Sequence, residues 1–391
     1  VAMNNANINV RGLVSSIGTS GVDANDGAIT ITADGTLDLD MDGNPLTGAA
    51  ATVINSGQGV TTLTSNGNMT QDIDGAIVAQ NLAVIQDSTA GGAITLLEGN
   101  DVDVFAARND FATGDVSFRS TENLGLATIN TIDGLTGVNG NIDLRSDMTL
   151  TVDVTELDNT TNDDVSLTGG VNVVLSAALD TGAGNLTITD GTGVLNVDRA
   201  LTSTGTITLN SMGNITQTAV ITAGVLSANQ AGAAGNIDLD DANNNVGTFS
   251  ADNDAEGGAV SFLHGAPSQL IVGAVNANDG AITITTNDQD GDAAMHLANI
   301  RVDGAVTSVE GGNGGTITLD ADGSVTLNTG AVNAGSMADV NLTADTTVTV
   351  NRAVTGNNVN LTSEGTITQN AMGIITAGVL SANQAGAAGN I

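Results

Sequence analysis

The seventeen residues ITAGVLSANQAGAAGNI stand at positions 221–237 and return unchanged at positions 375–391. Duplication over that length marks a repeat protein, so the repeat has to be defined before any strand is assigned. Upstream of both copies lies a matching stretch, GTITLNSMGNITQ from Gly205 and the shorter GTITQNAMGI from Gly365. A diverged third version reads TLTSNGNMTQ at 62–71 and continues as GAIVAQNLAV from Gly75.

The copies are separated by a measurable distance. Met69-Thr70-Gln71 recurs as Ile215-Thr216-Gln217, 146 residues on, and Val116-Ser117-Phe118 recurs as Val260-Ser261-Phe262, 144 residues on. The opening VAMNNANINVRGLVSSI matches AAMHLANIRVDGAVTSV from Ala293 at a shift of 292, twice 146. A super-repeat of about 146 residues therefore divides the chain into 1–146, 147–292 and a partial third copy, 293–391. After Ile237 the earlier copy runs on as DLDDANNNVGTFSA, which predicts that these residues are a segment of a longer repetitive protein.

A finer period runs inside the super-repeat. Short alternating stretches recur, such as Ile29-Thr30-Ile31-Thr32, Thr206-Ile207-Thr208-Leu209, Ile282-Thr283-Ile284-Thr285 and Thr316-Ile317-Thr318-Leu319. Period-two alternation of β-branched residues is a strand signal. Between the strands sit Asn25-Asp26-Gly27, Asn278-Asp279-Gly280 and Gly311-Gly312-Asn313-Gly314-Gly315, residues suited to tight turns. The strand starts Ile142, Val165, Leu186 and Ile207 are spaced by 23, 21 and 21 residues.

Two or three short strands in about 22 residues make one coil of a β-solenoid, because a single coil cannot bury its inner face alone. Alternate Ile and Val are expected to point inward, with Thr, Asn and Asp outward. At this period the chain predicts roughly 18 coils and a rod on the order of 85 Å long. A globular β-sandwich is the structural rival, but aromatic residues make up only 1% of the chain, where compact sandwich cores draw on large rings.

Composition narrows the function. There are 43 acidic residues against 7 basic ones, for a formal net charge of -36. All the basic residues are arginines: Arg11, Arg108, Arg119, Arg145, Arg199, Arg301 and Arg352. Nucleic-acid binding is disfavoured, since it needs cations for phosphates and rings for bases. The same deficit disfavours docking on an anionic membrane, and no apolar run is long enough to insert. With 0 cysteines there is no disulfide, no zinc-thiolate site and no thiol nucleophile.

The order I-T-A-G-x-L-S-A, then G-N-I-x-L, then N-x-V-G-T-F-x-A, then G-A-V-S-F, spanning residues 221–262, resembles the repeat region of filamentous-haemagglutinin-like "beta strand repeat" surface proteins of bacteria. The resemblance covers essentially the whole chain. It implies an all-β, right-handed parallel β-helix, export to the extracellular space or the bacterial cell surface, and a role in adhesion, biofilm or filament formation. The expectation is a non-catalytic structural solenoid that self-associates into filaments through its terminal coils and presents a surface to a glycan or cell-surface ligand. The alternatives are a β-helix that binds or cleaves polysaccharide, and an ice-binding solenoid built on Thr-x-Thr columns such as Thr30-x-Thr32 and Thr283-x-Thr285.

Candidate sites are few, and no catalytic or cofactor-binding residue is assigned. Asp38, Asp40 and Asp42 before Gly43 begin like a calcium loop, in which alternate carboxylates converge on a hard cation. The twelfth position is Ala49 where an EF-hand needs Glu, so only a weak site is expected. Asp288, Asp290 and Asp292 around Gly291 form a similar patch, and calcium is the one cofactor in view. Outward carboxylates also keep an aliphatic rod soluble and discourage edge association. Polysaccharide cleavage needs paired carboxylates or a base beside a sugar-gripping groove, and His264 and His296 fall in unrelated phases of the repeat. His264 is expected in a turn near Pro267. The five phenylalanines share one phase, which predicts wider coils whose interior accepts a ring; a periodic contact point for a neighbouring rod is the other reading.

Overall fold

The computed structural model describes residues 8–10, 14–15, 27–39, 52–73, 75–87, 92–111, 114–136, 138, 140–152, 163–287, 298–309 and 313–386. Among them are 36 strands and no helix. The strand ladders are parallel, and one isolated antiparallel bridge joins Ile129 to Ile132. The architecture is a parallel β-solenoid, divided into two compact units, residues 1–191 and 192–391.

In the first unit one ladder climbs through Leu37, Met69, Ile94, Val116, Ile142, Val165 and Leu186. A second climbs through Ile29, Thr61, Leu82, Phe105, Leu126, Val152 and Leu175. Apart from the buried Thr61, the rungs face apolar side chains one turn above and below, so aliphatics and phenylalanine rings stack and water is excluded along the column. The second unit repeats the scheme. One of its ladders runs Leu195, Ile215, Ile237, Val260, Ile282, Ile317, Val340, Val359 and Leu380. Another runs Ile207, Leu226, Phe249, Val272, Val302, Leu327, Val350 and Gln369. From Val275 a third joins, through Val306, Val332, Val354 and Ile375, so the later turns have three strands each.

The ladder of Leu37 has seven rungs in the first unit and that of Leu195 nine in the second, together fewer than the roughly 18 coils that a uniform period predicts. The difference lies in long turns: Leu37 pairs with Met69 and Ile282 pairs with Ile317, each spacing well beyond 22 residues. The extra residues lengthen these turns without adding a rung to the ladder.

Sequence repeat and structural repeat are also out of step. The identical strands Ile221–Gln230 and Ile375–Gln384 both lie in the second unit. Six pairings carry the ladder upward from Leu226 and end at Gln369, whereas Leu380, the counterpart of Leu226, belongs to the ladder of Ile237 and Val260. One super-repeat thus does not span a whole number of turns, and the duplicated strand changes ladder.

Inside the turns the pleat sorts residues as expected. Along Ile221–Gln230 the buried positions are Ile221, Ala223, Leu226, Ala228 and Gln230. Phe105 and Phe118 are fully buried and stacked, with ring centroids 4.1 Å apart and planes 8° from parallel, and Phe249 and Phe262 repeat the pair at the same distance and angle. Each pair sits in a single turn, one ring from each ladder, and fills its interior. These four rings are therefore not a contact surface for a neighbouring rod. Phe111 lies apart in a turn, half-buried.

Outside, an Asp or Asn immediately before a strand ties each turn to the next. The Oδ1 of Asp115 accepts from the amide of Asn141 at 2.8 Å, that of Asn141 from the amide of Asp164 at 3.0 Å, and that of Asp164 from the amide of Asn185 at 2.9 Å. In the second unit Asn214 serves Asn236, and Asn236 serves Ala259, in the same way. A hydrogen bond of this kind contributes about 0.5–1.5 kcal/mol where the acceptor is an amide and more where it is a carboxylate, and here it recurs at successive turns.

Candidate functional site

The predicted cation sites are mostly beyond view. Asp38 is half-exposed in the strand Leu37–Leu39, and its Oδ1 accepts from the Thr70 hydroxyl at 2.9 Å. Asp40, Asp42, Asp288, Asp290 and Asp292 lie outside the described residues, as does His296. Among the described residues no three His, Cys, Asp or Glu side chains converge on one point.

His264 is not in a turn near Pro267. It ends the strand Val260–His264 with its side chain fully buried. The Nδ1 accepts from the Val246 amide at 3.3 Å, and the Nε2 lies 3.1 Å from the Ser268 hydroxyl. Burial holds its pKa below the ordinary 6.5, and the contact with Ser268 only partly offsets this. One super-repeat earlier Ser120 does the same work, its hydroxyl accepting from the Val102 amide at 3.3 Å. The site is structural in both copies.

Several arginines are spent on neighbouring aspartates. Arg119 grips Asp147 through two bonds of 2.7 and 3.0 Å, Arg145 grips Asp143 at 2.6 Å, Arg108 reaches Asp87 at 3.0 Å, and Arg301 holds Asp303 at 2.6 Å. The carboxyl of Asp303 is pulled below its ordinary range by Arg301, helped by Asn328.

A surface groove of about 530 Å³ opens in the second unit. Its floor is a column of small residues, including Ser227, Ser250 and Ala274, and one wall is the outward row Asn229, Asp252 and Asn276. Asn276 donates to Asp252 at 3.1 Å, so the wall is a continuous strip of amide and carboxylate. Such a strip can exchange hydrogen bonds with hydroxyls along an extended ligand. The outward threonine columns are mixed: above Thr283 and Thr285 come Thr318 and Asp320, then Asn341 and Thr343.

Sequence reasoning placed every asparagine outside, and here the structure differs. Asn100 and Asn244 are fully buried, one super-repeat apart, and each meets a glutamine from the turn below. Gln71 Nε2 donates to Asn100 Oδ1 at 2.6 Å, and Gln217 Nε2 donates to Asn244 Oδ1 at 2.5 Å. The return bonds, from the asparagine Nδ2 to the glutamine Oε1, are 3.3 and 3.0 Å. The same asparagine Oδ1 also accepts the backbone amide of Ile77 or Ile221, at 3.0 and 2.9 Å. Asn109 and Asn253 are likewise buried, each nine residues further on, at the ends of the strands Ile94–Asn109 and Asn245–Asn253. The signal was present in the sequence only as a Gln followed by an Asn 29 residues on in one copy and 27 in the other, and an isolated Asn among turn residues gives no direction.

In Ile375–Gln384, Val379 is 59% exposed and Leu380 53%, whereas Leu226, in the identical strand below the strand Asn245–Asn253, is 0% exposed. Gln369, the counterpart of Gln71 and Gln217, bonds to the carbonyl of Gly373.

Compared with protein-family models, with curated proteins and with solved structures, the chain matches none.

Proposed function

We propose that the chain is a non-catalytic structural and adhesive β-solenoid of an extracellular bacterial surface protein, acting as a stiff spacer that joins end to end into filaments in adhesion, biofilm or surface architecture. The observation that carries this reading is the parallel stacking within each unit, where each turn lays its aliphatic row on that of the turn before, so that one coil is a template for the next. Coils that stack in this way within a chain can also stack between copies, and a head-to-tail contact that does not close on itself produces a fibre. A surface of -36 net charge keeps such an assembly from aggregating side by side. Residues invested in the turn-to-turn networks, Gln71, Asn100, Gln217, Asn244 and His264 among them, hold the stack rather than a substrate.

Electron microscopy over a concentration series tests the proposal. Filaments whose length grows with concentration support it, and isolated particles at the highest concentration sink it.

A second reading, a glycan-binding solenoid, is favoured by the groove floored by Ser227 and Ser250. Its polar wall suits sugar hydroxyls. Binding on a glycan array that Asp252→Ala abolishes would move the assignment to this reading.

A further inference from the structure

We infer that the groove of the second unit is a cleft for a neutral oligosaccharide laid along the stacking direction, and that in the first unit the chain's own segment 127–134 closes the equivalent cleft. This rests on the glycan-binding reading and adds to it the charge of the ligand, its direction and the number of open sites.

The two copies of this surface correspond rung by rung. In the first unit Gly125 and Leu126 pair with Val104 and Phe105, and Leu135 and Thr136 pair with Ala107 and Arg108. In the second, Ile271 and Val272 pair with Thr248 and Phe249, and Val275 and Asn276 pair with Ala251 and Asp252. Between these fixed points the first copy has the eight residues ATINTIDG, 127–134, where the second has only Gly273-Ala274.

The longer connection folds back over the outer face. Ile129 and Ile132 exchange backbone hydrogen bonds of 2.9 and 3.0 Å, and both side chains pack on Ala83 and Ala106. Those alanines follow the inward Leu82 and Phe105 and so point outward, yet both are 0% exposed. Val60, Ile85 and Val104 complete the apolar bed. In the second unit Ser227 and Ser250 stand for the two alanines, and Thr206, Asn229 and Thr248 for the three aliphatics. All five positions beneath the isoleucines thus carry a hydroxyl or an amide where the cover is missing. Contact with water would ask only for polar side chains; the floor also keeps them small, so the room that the isoleucines fill in the first unit is preserved as the groove of about 530 Å³.

Charge and direction follow from the same residues. Asp252 replaces Arg108 in the wall, and among the described residues no basic side chain lines the groove. A carboxylate without a cation beside it accepts from sugar hydroxyls and repels uronic or sulfated sugars. Ser227, Ser250, Ala274 and Ala305 come from successive turns, and three spacings of about 4.8 Å make a floor about 14 Å long. A chain of hydroxylated rings along it meets the row Asn229, Asp252, Asn276 and Thr307 at every step.

Calorimetric titration of the whole chain with cellohexaose, xylohexaose and mannohexaose, and with an oligogalacturonate of the same length, tests this. One-to-one binding of a neutral hexaose is expected, with oligogalacturonate weaker by about tenfold or more. Ala274→Ile with Ala305→Ile, both at exposed positions, fills the groove from outside the core and should weaken that binding about tenfold or more, with circular dichroism verifying the fold. Replacing Gly273-Ala274 by ATINTIDG, together with Ser227→Ala and Ser250→Ala, should do the same by the route the first unit uses. Asp252→Arg, the residue found at 108, should narrow the preference against oligogalacturonate. Neutral binding that the isoleucines leave unchanged, or two sites per chain, overturns the inference. A preference for oligogalacturonate also overturns it but keeps the glycan-binding reading, whereas a chain that binds none of the four probes discards both.

Discussion

The same ten residues, ITAGVLSANQ, appear in the second unit in two environments. At Ile221–Gln230 the strand lies between Leu201–Ser211 below and Asn245–Asn253 above, and Ile221, Leu226 and Ala228 are shut away from water. At Ile375–Gln384 it rests on Val354–Ser363 alone, and Val379 and Leu380 face solvent. Sequence, local backbone and partner on one side are alike, so the difference in burial is made by the neighbouring turn. In a solenoid a residue's contribution is a nearest-neighbour quantity. The largest expected effect follows from this contrast: Leu226→Ala should cost about 2–5 kcal/mol, the range for a buried leucine, while Leu380→Ala should cost less than about 1 kcal/mol. Urea unfolding of the two variants measures both. Equal losses would mean that the turns do not stack as described.

The polar networks sharpen the comparison at a smaller scale. Asn244→Ala leaves Gln217 and the Ile221 amide without their partner in a buried site, and each orphaned group costs about 1–3 kcal/mol. Gln369→Ala removes a bond to the carbonyl of Gly373 and should stay within about 0.5 kcal/mol. The same titrations read out this second pair.

These residues also mark where the sequence could be read and where it could not. Alternation in stretches such as Ile282-Thr283-Ile284-Thr285 and the step of 21–23 residues define strand, coil and parallel stacking, because the pleat and the shared core impose those periods on the chain. Asn100 and Asn244 escaped because their direction depends on a glutamine 27–29 residues away, across a turn whose length is not fixed. The change of ladder between Leu226 and Leu380 escaped for the same reason: long turns such as the one from Ile282 to Ile317 change the number of rungs per repeat without leaving a mark on strand composition. The phenylalanines were legible as ring-filled coils, although their pairing across the interior was not.

Ser120 and His264 offer a comparison that acid can break. Both accept a backbone amide from within the turn, but only the imidazole titrates. Its folded pKa lies below the ordinary 6.5, chiefly through burial, so the unfolded chain takes up the proton first. Stability from the neutral ring is complete above that value and is lost as pH falls through it toward the folded pKa. Asp303, with its pKa lowered, loses its contribution only below the carboxylate range, and Asp238, raised by burial and Asp240, acts near that range with the opposite sign. Among the described residues no charged side chain contributes to the shift at His264. Unfolding midpoints should therefore fall between about pH 7 and pH 5, and His264→Ser, which installs the side chain found at 120, should flatten that slope. A slope unchanged in the variant would assign it elsewhere.

The smallest effect is expected on the outer face, where charge matters more to association than to folding. Arg119 and Arg145 are adjacent rungs of one ladder, a like-charge pair tolerated because Asp147 and Asp143 hold the two guanidiniums. The Arg119–Asp147 side chains are 40% and 43% exposed, so water and salt screen their attraction. Arg119→Gln removes that attraction together with the repulsion from Arg145, and the two partly cancel. A loss below about 1 kcal/mol is expected, shrinking further in high salt. Measured against the several kcal/mol expected at Leu226, a larger loss would show that this coil is held by its charges rather than by the column of leucines, isoleucines and valines it encloses.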